Sequence, residues 1–333
     1  MKNYRPKLYD EASRSHASKN LAIIILCFIA VFIVIFILES VIPTIMCIPA
    51  MIDALQEEGL LDGSGILGLD DTMPLAQEIA SEPTIMVTAL FCTVFGTIAS
   101  IVYCRCIEMR PVRSMGAVKK KLIPSYLTGL AVGTLMMSVI TFLSIVSGAN
   151  SISRCTEVDY GWIVLYFFGF FVQGMSEEFI FRGYLSTTIG GSGHHTALAV
   201  GISSVGFALA HGMNTGFGPV PFINLALFGV FAALYLIVTE SIWGICAIHS
   251  IWNFTQGNIY GISVSGTDKT ESLFRTTAVS DKAILTGGQF GIEGSIFTSL
   301  VLITGIIILL AALRKKLPVT EAQSDTFPTA PAE

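Results

Sequence analysis

Six polar side chains stand where an apolar sequence has little use for them. Glu177, Glu178 and Arg182 fall within the run Gly174–Leu185, His211 ends the run Phe207–His211, and His249 and Asn253 lie four apart within Ile242–Gln256. Near the centre of a lipid-spanning helix a charged group opposes insertion by roughly 2.5–3.5 kcal/mol, whereas each Leu, Ile, Phe or Val favours it by only about 0.3–0.6 kcal/mol. Three such groups cancel most of one helix's insertion gain, so pairing, water or neighbouring helices must compensate them. Glu178 and Arg182, four apart, share a helix face, while Glu177 is turned about 100° from Glu178. One carboxylate is therefore paired and the other is free to act. His249 and Asn253 project to a common side by the same spacing. A lone intramembrane histidine or asparagine often only hydrogen-bonds across helices, but a single packing contact does not require six polar groups on three spans.

The elements that hold these groups are set by composition. Of 333 residues, 53% are hydrophobic and 13% charged, with a mean hydropathy of +0.71, which excludes an ordinary water-soluble enzyme. The formal charge of −5 argues against nucleic-acid binding, which uses a basic excess to neutralise phosphates. The expected fold is an all-α polytopic bundle of about eight transmembrane helices: Leu21–Leu38, Pro83–Tyr103, Tyr126–Val146, Gly161–Thr187, Thr196–Ala210, Pro221–Val238, Ile242–Gln256 and Ser295–Leu313. Residues 21–313 form one domain between polar tails at 1–20 and 314–333. Lys and Arg cluster before the first span, after the second at Arg105–Lys121, and after the last, whereas Met46–Glu82 has eight carboxylates and no Lys or Arg. The positive-inside bias then places both termini in the cytoplasm.

Several other features have simpler explanations. The seven cysteines suit small apolar packing, although Cys47 and Cys155, both placed outside the membrane, leave a bridge open. Trp162 and Trp243 suit helix ends at the interface. The Arg105–Lys121 loop is accounted for by orientation. The Gly190-Gly191-Ser192-Gly193 turn puts His194 and His195 in a cytoplasmic loop, and Glu240 at a short solvated turn. The outer segment Gly257–Glu293, rich in Gly, Ser and Thr, reads as a mobile loop rather than a lid.

Together the patterns E-E-x-x-x-R, F-x-x-x-H and H-x-x-x-N, in this order on successive helices over about residues 161–256, resemble the CPBP family of CAAX-type prenyl endopeptidases and bacteriocin-processing (Abi) proteins. The resemblance implies that Glu177 activates a water with His211, that His249 and Asn253 stabilise the oxyanion on the scissile carbonyl, and that Glu178 and Arg182 support them. The chemistry agrees, because preorganised bases and donors act strongly where water is scarce. Two versions remain open: Glu177, His211 and His249 as three zinc ligands with one free position, or a Glu/His-activated water without metal. At 1.5 Å per residue, His249 lies about 12 Å and Glu177 about 15 Å from the cytoplasmic face, but His211 about 24 Å. Either the fifth helix begins later than Thr196 or it is tilted; the later start is the expectation.

The function expected is an intramembrane endopeptidase, a metalloendopeptidase if zinc is used, acting on a peptide or membrane-protein substrate in the bilayer. The compact chain suggests a bacterial plasma-membrane member. The alternatives are a non-catalytic self-immunity or interaction protein on the same scaffold, and a proton-coupled transporter, against which the lack of inverted halves argues. Oligomeric state is not legible.

Overall fold

Apolar runs of this length fold as helices because lipid offers no partner for a backbone N–H or C=O. The structure is a computed structural model that describes residues 5–16, 18–57, 69–268 and 270–316. In chain order the helices are α1 (Lys7–Ala12), α2 (Leu21–Glu57), α3 (Leu69–Ala80), α4 (Pro83–Cys92), α5 (Val94–Val102), α6 (Leu122–Val146), α7 (Tyr160–Glu178), α8 (Thr187–Gly191), α9 (Thr196–Ala210), α10 (Pro219–Thr239), α11 (Ile242–Phe254), α12 (Ala283–Thr286) and α13 (Ile296–Lys316). Wider π-helical turns continue α5 over Tyr103–Ile107, join α7 to α8 over Phe179–Ser186, and extend α11 over Thr255–Ile259. Two short antiparallel strands, β1 (Asn150–Arg154) and β2 (Phe274–Ala278), pair Asn150 with Ala278 through Arg154 with Phe274. The protein is an all-α polytopic membrane bundle.

Among the described residues six helices are long and apolar enough to cross a bilayer: Leu21–Gln56, Pro83–Ile107, Lys119–Val146, Tyr160–Gly191, Pro219–Thr239 and Ile296–Lys316. The remaining two of the eight expected segments are shorter, 15 residues in α9 and 13 in α11. Of these, α11 is almost wholly buried, whereas α9 keeps Leu198, Val205 and Leu209 exposed on its outer face. The first span outruns its expected end at Leu38, continuing through Pro43 and Pro49. Cys47 therefore lies within α2, and Cys47 and Cys155 are free thiols.

Close helix contacts are made at glycines, and Gly174 matters most for the site. A methyl group there would lie 2.6 Å from Ser250 N, so only glycine lets α7 and α11 meet where Glu177, Glu178 and His249 stand. Asn224 on α10 donates to the carbonyls of Glu293 and Ser295, at 2.6 and 2.8 Å, tying the start of α13 to α10.

Several segments assigned to surface or tail are part of the packed body. Within the stretch read as an N-terminal tail, α1 buries Leu8, Tyr9 and Ala12 against α8. The Tyr9 hydroxyl meets Ser186 Oγ at 3.0 Å, and burial pushes its pKa up to about 12. Gly190 and Gly191 are helical, not a turn; they are small because Tyr9 and Ala12 press on them, and only Gly193 has a positive φ, 97°. In the basic loop Arg110 turns inward, fully enclosed with Glu108, and also reaches Ser114 Oγ (2.6 Å) and Thr188 Oγ1 (3.2 Å). The tail 318–333 lies outside the described residues.

Candidate active site

Side chains four apart on α7 build the first part of the site. Gln173 Nε2 donates to Glu177 Oε1, and Asn253 Nδ2 on α11 donates to Gln173 Oε1 at 2.9 Å. Gln173 thus clamps one oxygen of Glu177 and leaves Oε2 facing inward, buried and without a hydrogen-bond partner among the described residues. Two imidazoles face that oxygen: His249 Nε2 at 3.7 Å and His211 Nε2 at 4.0 Å.

The far nitrogen of each ring fixes its direction. His211, which ends α9, holds its Nδ1 2.9 Å from the Phe207 carbonyl, so that Nδ1 donates and Nε2 points to Glu177. His249 Nδ1 lies 2.8 Å from Glu178 Oε1, which also accepts from Arg182 Nη1 at 3.1 Å. The expected Glu178–Arg182 pair is therefore the inner half of a chain Arg182–Glu178–His249, with both charged side chains fully buried. Phe207 and Phe228 enclose it, the Arg182 guanidinium lying 4.4 and 5.9 Å from their ring centres. A carboxylate on the far nitrogen of a functional histidine sets ring orientation and tautomer.

All six side chains meet in one place, yet the expected reason for the depth mismatch was wrong. The fifth helix begins at Thr196 as drawn; the fourth ends late, at Gly191 rather than Thr187. Glu177 then stands 14 residues before the end of its helix and His211 15 residues after the start of the next. Both are near the same depth, about 21–22 Å from the connecting turn at 1.5 Å per residue. His249 is nearer in sequence to the end of its own helix, but α11 begins sunk within the bundle: Ile242 N donates to Gly116 O at 2.9 Å, and Ile242 and buried Met115 both abut Gly183.

Beside the histidines lies a small cavity of about 10 Å³, walled by His211, His249, Asn253, Trp252, Phe228 and Glu293. That volume suits about one ordered water and no peptide. Its outer wall is the segment read as a mobile loop, which is instead pinned at Glu293. This 8% exposed carboxylate accepts from Trp252 Nε1 (3.2 Å), Gln256 Nε2 (3.3 Å), Ser265 N (2.7 Å) and Ser265 Oγ (2.8 Å). Gly- and Ser-rich composition concealed this, because the anchor is one acid whose partners lie up to 41 residues away. Gln173 was legible in principle, as a polar residue one turn before Glu177 in an apolar helix. Glu39, the one acid in the apolar run Leu21–Ile52, carries a similar signal.

The three residues expected as zinc ligands converge, but loosely. Zinc bonds of about 2.0–2.2 Å set donors roughly 3.3 Å apart around a tetrahedron, and Glu177 stands 3.7 and 4.0 Å from the two histidines. Among the described residues no group of three His, Cys, Asp or Glu side chains is placed to hold a metal ion. As placed, the donors do not fit zinc.

His194 and His195 take no part; His194 sits in the exposed turn, 3.1 Å from the Lys19 carbonyl. No curated protein matches the chain. Residues 159–255, which carry all six side chains, match the family model described as type II CAAX prenyl endopeptidase Rce1-like. This stretch matches an Rce1-like domain of the CPBP/CAAX protease family, a family of intramembrane proteases.

Proposed function

We propose that the protein hydrolyses a peptide bond within the membrane by a water held and activated at Glu177, with His211 and His249 as its other partners. The observation that carries this reading is Glu177 Oε2, a buried acceptor with no partner, flanked by two imidazole nitrogens. Facing acceptors repel unless a protic group stands between them, and a water is the smallest that serves. Removal of its proton by Glu177 lets its oxygen bond to the scissile carbon while the carbonyl π pair moves onto oxygen. The second amide N–H of Asn253 faces that oxyanion, as does His249 Nε2, which carries a proton taken up from solvent as the substrate binds and returned to it on product release. Collapse breaks the C–N bond, and the proton held by Glu177 passes to the departing nitrogen. One water is consumed, an acid and an amine are released, and Glu177 is regenerated. Glu178 keeps His249 turned to the site, and Arg182 holds Glu178 charged.

The positive-inside bias supports both termini in the cytoplasm. The test compares new peptide termini in membranes from cells carrying wild-type protein and Glu177→Gln. Cleavage products present only with wild type are expected; identical termini from an inserted, folded variant would overturn the reading.

A further inference from the structure

A groove of about 610 Å³ runs between α2 and α9. Phe28 and Phe32 of α2 line one side, Gly201, Val205 and Ala210 of α9 the other, with Phe181 between them. The Phe181 ring meets Phe28 and Phe32 at 5.7 and 5.8 Å and, towards the site, Phe207 at 5.4 Å. Phe207 is also a wall of the catalytic cavity, its ring 4.8 Å from that of His211 and 5.9 Å from that of His249. Two phenylalanines therefore separate the groove from the site. The chain itself leads from one to the other: Phe181 is one turn past Glu177, and Ala210, the last groove residue of α9, precedes His211.

The α9 side of the groove has small residues that the described chain does not use. Glycine weakens a helix relative to alanine, and elsewhere in the bundle close packing offsets this: a methyl group on Gly129, Gly133, Gly174 or Gly229 would stand 2.2–2.6 Å from a neighbouring helix. On Gly201 it would meet nothing within 4 Å among the described residues, and on Gly206 only two side-chain atoms, both 3.8 Å away. Ala197 with Gly201, and Gly206 with Ala210, repeat the four-residue spacing of small residues through which membrane helices bring their backbones together. A lipid tail packs as well on Leu or Val and gains nothing from such a strip, whereas a helix does. Beyond His211 lies a second opening, a cleft of about 380 Å³ between α3–α4 and the loops at residues 213–215 and 266–268. It is lined by Thr93, Asn214, Thr215 and Asp268, and Asn214 Nδ2 donates at 2.7 Å to the carbonyl of Ser265, which lines the catalytic cavity. On the proposed orientation the site stands between an apolar groove on its cytoplasmic side and a more polar cleft on its outer side.

Building on the proposed role of Glu177, we infer that the substrate is a membrane-spanning peptide whose apolar helix docks in the groove between α2 and α9. Its chain unwinds past Phe181 and Phe207, and its outer segment lies extended in the cleft. Glu177 and His211 stand about 21–22 Å from the turn after α8, in a hydrocarbon layer of about 30 Å. Cleavage therefore falls about three to six residues inside the outer end of the substrate's span.

The test uses the full chain in liposomes with a synthetic peptide whose single span of about 20 Leu and Ala residues carries one Gly-x-x-x-Gly pair. Benzoylphenylalanine replaces either Val205 in the groove or, as control, Leu135 on the exposed face of α6, and photocrosslinks are read by mass spectrometry. Val205 should capture the peptide about tenfold more than Leu135. Gly201→Leu, whose side chain enters open space and leaves the fold intact, should remove most of that excess, as should Leu in place of the peptide's glycines. Equal capture at the two positions, indifference to Gly201→Leu, or a Val205 position that takes only phospholipid or a second copy of the chain would overturn the inference. In cell membranes, termini that depend on Glu177 should fall in the outer third of membrane spans and drop about tenfold with Gly201→Leu; termini in water-soluble chains or at cytoplasmic span ends would overturn it. Crosslinking needs no catalysis, so peptide captured at Val205 in a protein that cleaves nothing would sink the Glu177 mechanism alone, and Glu177-dependent cleavage beside an empty groove would sink the docking site alone.

Discussion

Adjacent in sequence, Glu177 and Glu178 differ in burial and partners, so the same change to glutamine should separate catalysis from stability. Glu178 is fully enclosed and its Oε1 receives both Arg182 and His249, at 3.1 and 2.8 Å. Neutralising it leaves a buried guanidinium without its carboxylate, a loss of about 3–5 kcal/mol by analogy with other broken buried pairs. Glu177 keeps 21% of its side chain exposed, and its one hydrogen bond, from Gln173, can be accepted equally by a glutamine oxygen. Its replacement should change stability by less than about 1 kcal/mol. The rates should reverse that order, since removal of a general base costs about 10²–10⁴ in kcat. Unfolding free energies in bicelles, and the yield of wild-type-dependent peptide termini in membranes carrying the same variants, give the two axes. Glu178→Gln as stable as wild type, or Glu177→Gln as active as wild type, would refute the division of roles drawn from the geometry.

Gln173→Ala should lower kcat about tenfold at constant KM and should be non-additive with Asn253→Ala, because Gln173 links Asn253 to Glu177; a double-mutant cycle with no coupling would count against the clamp. Gly190→Ala puts a methyl group 2.3 Å from the Tyr9 ring. It should destabilise by about 1–3 kcal/mol and expose α1 to limited proteolysis, whereas unchanged protection would show that α1 does not depend on that contact. Incubation with 1,10-phenanthroline should leave turnover unchanged, given donors spaced too widely for zinc; inhibition reversed by added zinc would show that they close on an ion.

Much of the site could be read without coordinates, for one physical reason. Lipid makes each polar group in a span conspicuous, so Glu177, Glu178, Arg182, His211, His249 and Asn253 stood out, and the i, i+4 rule joined Glu178 to Arg182. Helix class and most span positions followed from apolar run length. Boundaries did not, because a run that continues past a glycine pair or a proline shows no break in hydropathy: Gly190 and Gly191 have the composition of a turn, although their lack of side chains serves Tyr9 and Ala12. Contacts between helices were equally hidden. Whether Glu178 also holds His249, whether Gln173 clamps Glu177, and whether Glu293 fastens the outer segment depend on helix rotation and on approaches such as that at Gly174. Local sequence determined which groups must find partners within the membrane, since insertion energy is a property of each segment; only tertiary packing decided which partners they find, since that depends on distances between segments far apart in the chain.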